Sequence, residues 1–190
     1  MRKWPLRREL RARRREIADH RDVAADGAAL AGHAMARVRA LDLGAGDTVT
    51  LYAAFAGEPA TAPLLAALQA EGIRVLLPIT EPDFDLDWFD AADPTQRPLG
   101  HDAIGEASLV LAPGLAVDRT GTRMGQGGGC YDRALPRRAP GIPVLVLLHP
   151  GEVREELLPR EDFDQPVDGV LTAEGYGELA SGFNVSTAGS

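Results

Sequence analysis

Asp118 to Asp132 reads DRTGTRMGQGGGCYD. Five glycines fall inside it: Gly121, Gly125, Gly127, Gly128 and Gly129. The stretch follows the apolar run Leu109-Val110-Leu111-Ala112-Pro113, which predicts a buried strand. It precedes Tyr131-Asp132-Arg133-Ala134-Leu135, which predicts the opening of a helix. A glycine-rich link from strand to helix lets backbone N–H groups converge with no Cβ in the way. The helix start adds its own unpaired N–H groups and the positive end of its dipole. Arg119, Arg123 and Arg133 supply full charges that a neutral structural loop does not need. The stretch is not a Walker A motif, because no Lys-Ser/Thr closes it, and it is not a clean GxGxxG with a following ribose-binding acid. On physical grounds it favours an anion over a purely structural turn, and it leaves the anion unnamed.

Outward from this loop, elements alternate. Arg7 to about His20 and Val23 to Leu41 predict helices, and Thr48 to Tyr52 a strand. Thr61 is an N-cap candidate, with Pro63 in the first turn of a helix that ends at Gly72. Ile73 to Ile79 predicts the next strand. The polar, Pro/Gly-rich region Glu81 to Glu106 predicts a lid or edge insertion with a short strand at Leu86 to Phe89. Beyond the glycine stretch come a helix from about 130 to 138, a strand at 142–148, a short helix near Glu152 to Leu158 and a strand at Gly169 to Thr172. This order implies an α/β fold: a three-layer, open, mostly parallel, Rossmann-like sheet with helices on both faces. Residues 1–176 are expected to form one domain with a basic N-terminal helix, and 177–190 a flexible tail. In such sheets ligands bind beyond the carboxyl ends of strands. The loops after Tyr52, Ala112 and Leu148 are therefore expected to converge on one site.

The chain of 190 residues carries a net charge of −8 that is unevenly spread. Residues 1–21 hold nine basic and three acidic side chains, +6, which leaves −14 for the remainder. A targeting peptide is disfavoured, because the segment lacks Ser, Thr and an apolar run. A nucleic-acid-binding arm is poorly supported, since the acidic body repels a phosphate backbone. A third reading is a helix that holds basic residues over a phosphate site. Lys3 is the one lysine among twenty basic residues, which marks its compact ammonium for attention. The single cysteine, Cys130, excludes an intrachain disulfide and suits a reducing cytosol. With no His near it in sequence, it reads as filling a small apolar position. No apolar run is long enough to span a membrane.

Four segments together resemble the 5-formyltetrahydrofolate cyclo-ligase (methenyltetrahydrofolate synthetase) family. They are Lys3-Trp4-Pro5-Leu6-Arg7, Gly57-Glu58-Pro59-Ala60-Thr61, the stretch LVLAPGLAVDRTGTRMGQGGGCYD from Leu109 to Asp132, and LLPREDFDQPVDGVLT from Leu157 to Thr172. The resemblance implies conversion of 5-formyltetrahydrofolate to 5,10-methenyltetrahydrofolate, with ATP as co-substrate and Mg²⁺ as the metal. It implies that Lys3, Arg7, Arg123, Gly125, Gln126, Gly127, Gly128, Gly129, Tyr131 and Asp132 form the nucleotide site. Asp132 is then the Mg²⁺ residue, Glu58 the folate contact, and Glu58 with Arg123 the catalytic pair. Asp118 either orients the loop or merely caps a turn. The chain departs from the family in carrying Cys130 for a usual Tyr, Gln126 for a basic or aromatic residue, Gly128 where some members have Lys, and Phe163 for a frequent His. No catalytic histidine is therefore expected, and His101 reads as a solvated loop residue. The expected setting is a cytoplasmic monomer with no nucleic-acid or membrane partner. The alternatives are a phosphate-sugar or CoA-type enzyme on a similar sheet, and a nucleic-acid-binding protein using the basic helix.

Overall fold

The computed structural model describes residues 3–179. Helix α1 spans Lys3–Asp19 and α2 spans Val23–Ala40. They are followed by β1 (Thr48–Thr50), α3 (Ala62–Ala70), β2 (Arg74–Thr80) and β3 (Leu86–Asp90). A 3₁₀ turn at His101–Glu106 leads to β4 (Leu109–Pro113), β5 (Ala116–Asp118) and β6 (Arg123–Met124). Then come α4 (Cys130–Ala134), a second 3₁₀ turn (Leu135–Arg137), β7 (Val144–Leu147), β8 (Val153–Arg154), β9 (Gly169–Thr172) and β10 (Gly175–Glu178).

The main sheet has seven strands in the order β10-β9-β7-β4-β1-β2-β3. Its inner pairs are parallel, while β10 and β3 are antiparallel edges. The inner strands β4 and β7 read as near-continuous apolar runs because both faces are covered. One face buries Leu30, Met35, Val38, Leu64 and Leu68 of α2 and α3 against Val49, Leu111 and Leu147. The other buries Ile104, Tyr131, Ala134 and Leu135 against Val110, Val146 and Trp88. This is the three-layer α/β arrangement that the alternation implies, with short helical turns on the second face.

The chain leaves β1 toward β2 on one side and returns to β4 on the other, so the strand order reverses between β1 and β4. At such a switch point the loops beyond the carboxyl ends diverge and leave a crevice. Thr61 was expected to cap α3, but its side chain makes no cap bond. Its hydroxyl instead donates to Tyr52 O at 2.7 Å and accepts from Ala54 N at 3.2 Å, which clips the start of the loop that carries Glu58.

Three local expectations need correction. The segment 152–158 is not a helix: Val153–Arg154 pairs in parallel with Val117 and Asp118, and Leu158 N donates to Asp118 Oδ2 at 2.8 Å. The backbone donors there are spent on a tertiary partner. The glycine stretch is not a bare link, because β5 and β6 form a hairpin within it and build a second sheet of order β6-β5-β8. The proposed tail also starts too early. Gly177 and Glu178 belong to β10, whose ladder to Val170 and Gly169 follows a tight turn at Ala173-Glu174. Residues 180–190 of that expected tail lie outside the described residues.

Candidate active site

Helix α1 does not cover the main sheet. Leu6 and Leu10 bury against Leu115, Met124 and Leu158 of the small sheet and its flanks. Lys3, Arg7, Arg11 and Arg14 share that stripe at helical spacing, so anchoring the leucines turns the four cations to one side, with Arg7 and Arg11 reaching the loop that follows β6. A cleft of about 720 Å³ opens between α1, the loop after β1, the start of the β4–β5 turn and the glycine stretch. It is lined by Lys3, Arg7, Glu58, Arg123, Gly125 to Gly129, Tyr131 and Asp132. The fold thus gathers into one cleft the residues that the family resemblance assigns to the nucleotide, metal and folate contacts.

The glycine loop is held from beneath by Asp118, which is fully buried. Its Oδ1 accepts from Thr120 N at 2.8 Å, Thr120 Oγ1 at 2.7 Å and Thr122 N at 3.1 Å, and its Oδ2 from Leu158 N. Burial pushes this carboxyl up, but the hydrogen bonds from Thr120, Leu158 and Thr122 together pull it below its ordinary value. Asp118 therefore orients the loop rather than merely capping a turn. Gly121 sits at φ +80° where a Cβ would lie 2.4 Å from Val167 O, so no side chain fits the turn of this hairpin. Gly127 and Gly129, at φ +118° and +71°, curl the following segment. Among the described residues, no backbone N–H from Gly125 to Gly129 donates to a backbone acceptor. A run of such N–H groups is a cradle for anionic oxygen. The short α4 adds little dipole, because it lasts only five residues before the turn at Leu135–Arg137.

The cations divide into matched and unmatched. Lys3 Nζ lies 2.6 Å from Asp164 Oδ2 and 2.8 Å from Glu161 Oε2, over the Phe163 ring at 5.4 Å. Among the described residues, Arg7 hydrogen-bonds only the Gly125 carbonyl, at 3.1 Å. Arg11 holds both the side chain and the carbonyl of Gln126, at 2.9 and 2.6 Å. The Arg123 guanidinium is buried, 3.0 Å from Asp132 Oδ1 and 5.7 Å from the centroid of the Tyr131 ring. Two arginines expected to serve the site do not: Arg119 is exposed beyond the cleft, and Arg133 turns back to the Gly128 carbonyl at 2.7 Å.

Asp132 Oδ1 also accepts from Gln165 N at 3.1 Å. Its Oδ2 makes no hydrogen bond among the described residues, so a residue that lines the cleft keeps one hard oxygen without a partner. Magnesium usually takes one or two protein carboxylates and completes its shell with phosphate oxygens and water. A lone carboxylate oxygen beside an anion cradle fits that habit. The one cluster of three close ligand atoms among the described residues, Glu81, Asp87 and His101, does not line this cleft. His101 is not simply solvated: its Nε2 is 2.7 Å from Glu81 Oε2, and that bond raises the imidazole above its ordinary value.

Glu58 stands across the cleft, half buried. Its Oε2 accepts from Phe55 N at 3.0 Å, and its N–H donates to Phe55 O at 3.0 Å around Gly57 at φ +85°. Beneath it lie the hydroxyls of Tyr52 and Tyr131, both buried and without a partner among the described residues. Burial first, and the Glu58 charge second in the case of Tyr52, keep both phenols protonated.

The family model for 5-formyltetrahydrofolate cyclo-ligases matches residues 1–173. The chain belongs to that family. The match includes α1, the Glu58 turn and the glycine loop together, which sets the cyclo-ligase reading above the phosphate-sugar and CoA-type alternatives. A 5-formyltetrahydrofolate cyclo-ligase of Mycolicibacterium smegmatis is 35% identical, with 67% of this chain and 74% of that protein covered. Two solved structures share the fold. A 5,10-methenyltetrahydrofolate synthetase from Mycoplasma pneumoniae has a TM-score of 0.74 at 17% identity, covering 92% of this chain and all 100% of its own. Its counterpart from Aquifex aeolicus has a TM-score of 0.70 at 22% identity, covering 96% and 95%. Among the described residues, no helix is long and apolar enough to cross a membrane.

Arg11, Arg14, Tyr52 and Phe163 also line the cleft and were not singled out as site residues. Counting from Lys3 by helical steps reaches Arg7, Arg11 and Arg14, a signal the sequence does carry. Tyr52 and Phe163 carried no such signal.

Proposed function

We propose that this chain closes the ring of 5-formyltetrahydrofolate to give 5,10-methenyltetrahydrofolate at the expense of ATP, with Mg²⁺ bound at Asp132. The observation that carries this reading is a single cleft with unpaired N–H groups from Gly125 to Gly129 on one wall and the Glu58 carboxylate on the other. The amides, Arg7 and Arg123 would receive the triphosphate. Phosphoryl transfer asks for positioning and for neutralisation of developing charge more than for covalent help. Arg123 suits that role because its charge is buried, held by Asp132 and aimed along the glycine loop.

In this reading the formyl oxygen attacks the γ-phosphorus, ADP leaves, and the neighbouring folate nitrogen then attacks the activated carbon and expels phosphate. Positive charge builds on the folate at the activated carbon, and Glu58 faces it with a full negative charge. Lys3 would keep the buried Asp164 and exchange its contact with Glu161 for phosphate oxygens, since an exposed acid gives up a cation at little cost. Bound magnesium would offset phosphate charge, and the free Oδ2 of Asp132 is the atom that would hold it. The protein would work in the cytoplasm as a monomer.

The test is absorbance-monitored turnover of 5-formyltetrahydrofolate. A methenyl product is expected only when ATP and a divalent metal are both present. Product formation indifferent to ATP would refute the ligase reading.

A further inference from the structure

The loop after β7 does not line the cleft as the others do. It runs beneath it, and it carries two buried polar side chains that the chemistry above leaves unused. His149 is 2% exposed and Glu152 is 3% exposed. The His149 ring nitrogen Nε2 lies 3.0 Å from the Gly57 carbonyl oxygen. A carbonyl only accepts, so this nitrogen carries the proton. The His149 backbone N–H donates to Glu152 Oε2 at 2.8 Å. Glu152 in turn receives a two-pronged pair from Arg14, Nε to Oε1 at 2.6 Å and Nη2 to Oε2 at 2.7 Å. Arg14 also donates to the Gly114 carbonyl at the end of β4.

The result is an unbroken polar chain: α1, the β4 end, the β7 loop and the turn that holds Glu58. Every side chain in it is buried. A buried ion pair is a weak source of stability, and an apolar pair of similar volume commonly does as well. What the forked Arg–carboxylate pair adds is fixed geometry. That geometry acts on a sensitive point. Gly57 is the positive-φ residue of the Phe55–Glu58 turn, and its carbonyl belongs to the peptide plane that leads directly into Glu58.

We infer that His149, Glu152 and Arg14 are positioning residues that lock the Glu58 turn to helix α1, so that the carboxylate and the cationic helix move as one body. Calling these the folate side and the phosphate side rests on the cyclo-ligase reading; the mechanical link does not. The consequence is coupling. A nucleotide that settles Arg7 and Lys3 also settles Glu58, and by linkage the folate does the reverse.

The test has two arms. His149→Phe keeps a ring of similar volume and removes the donor, whereas His149→Gln returns an N–H at a similar reach. In the first arm, amide hydrogen exchange of the Phe55–Glu58 turn is followed without substrates. Exchange at Glu58 is expected to quicken by about tenfold or more in His149→Phe and to return toward the parent rate in His149→Gln. In the second, the affinity for 5-formyltetrahydrofolate is measured with and without a non-hydrolysable ATP analogue. The parent protein is expected to gain about 5- to 150-fold in folate affinity from the nucleotide. His149→Phe should lose most of that gain while binding the nucleotide alone as before, and His149→Gln should keep it. A merely structural histidine would lower stability in both variants and leave the gain intact. If His149→Phe fails to fold, the paired replacement Arg14→Met with Glu152→Leu carries the exchange readout, which is taken without nucleotide. Parent-like exchange at Glu58 together with a parent-like gain would overturn the inference. A parent protein that shows no ATP-dependent turnover would sink the ligase reading alone, and the exchange arm would still decide the link.

Discussion

Glu58→Gln separates charge from architecture. The Glu58 side chain does one structural job that can be seen: its Oε2 accepts the Phe55 N–H at 3.0 Å. A glutamine amide oxygen can accept the same bond, so the turn around Gly57 should survive. The unfolding free energy should then change by no more than about 0.5 kcal/mol, as for substitutions that break no named contact. What disappears is a full negative charge in the cleft that Arg123 and the glycine loop also line. If that charge stabilises positive charge developing on the folate, its loss should cost about 2–4 kcal/mol of transition-state stabilisation. At 1.36 kcal/mol per decade this is a fall of about 30- to 900-fold in kcat/KM for 5-formyltetrahydrofolate. The nucleotide wall is untouched, so the dissociation constant for ATP should hold within about twofold. Turnover by absorbance and ATP binding by calorimetry on one preparation decide the matter. Near-parent kcat/KM would refute a charge role for Glu58, and equal damage to ATP binding would move the residue to the nucleotide side.

Asp132→Asn removes the free carboxylate oxygen and the charge partner of Arg123, so half-saturation by Mg²⁺ should rise by about tenfold or more while the KM for folate changes less; a metal dependence identical to the parent's would exclude Asp132 as the metal residue. Asp118→Asn should destabilise the protein by about 2–4 kcal/mol in urea unfolding, because its amide group would face the buried Leu158 N–H where a carboxylate oxygen now accepts. The parent shows the sign in its pH dependence. The Asp118 carboxyl lies below its ordinary value in the folded chain, so its contribution is complete above the unfolded value of about 3.9 and is lost as pH falls through the lower folded value. A parent and Asp118→Asn pair whose stabilities differ equally at pH 7 and at pH 2 would contradict that assignment.

The main sheet was legible because its signals are local. Runs such as Leu109 to Ala112 and Val144 to Leu147 are apolar on both faces, as only an inner parallel strand is, and their alternation with helices leaves few topologies. The glycine stretch was legible as a loop of open backbone N–H groups for the same reason, since a missing Cβ is a property of the residue itself. The error at 152–158 has the opposite cause. That segment is polar and helix-compatible, but Asp118, forty positions earlier, claims the Leu158 N–H, and no local pattern announces a donor spent so far away.

The sequence by itself determined the α/β class, the chain order of the main elements apart from the β5–β6 hairpin, β8 and β10, and the residue types that line the cleft. Only the tertiary structure decided what those residues touch. It set Lys3 against Asp164 and Glu161, turned Arg119 and Arg133 away from the cleft, and ran a buried chain from Arg14 through Glu152 and His149 to Gly57. The division has a physical reason. Propensity and hydrophobic period act over a few neighbouring residues, whereas ion pairs and side-chain hydrogen bonds are chosen by distance in space, which the chain acquires only when the sheet has closed its order and α1 has docked on the small sheet.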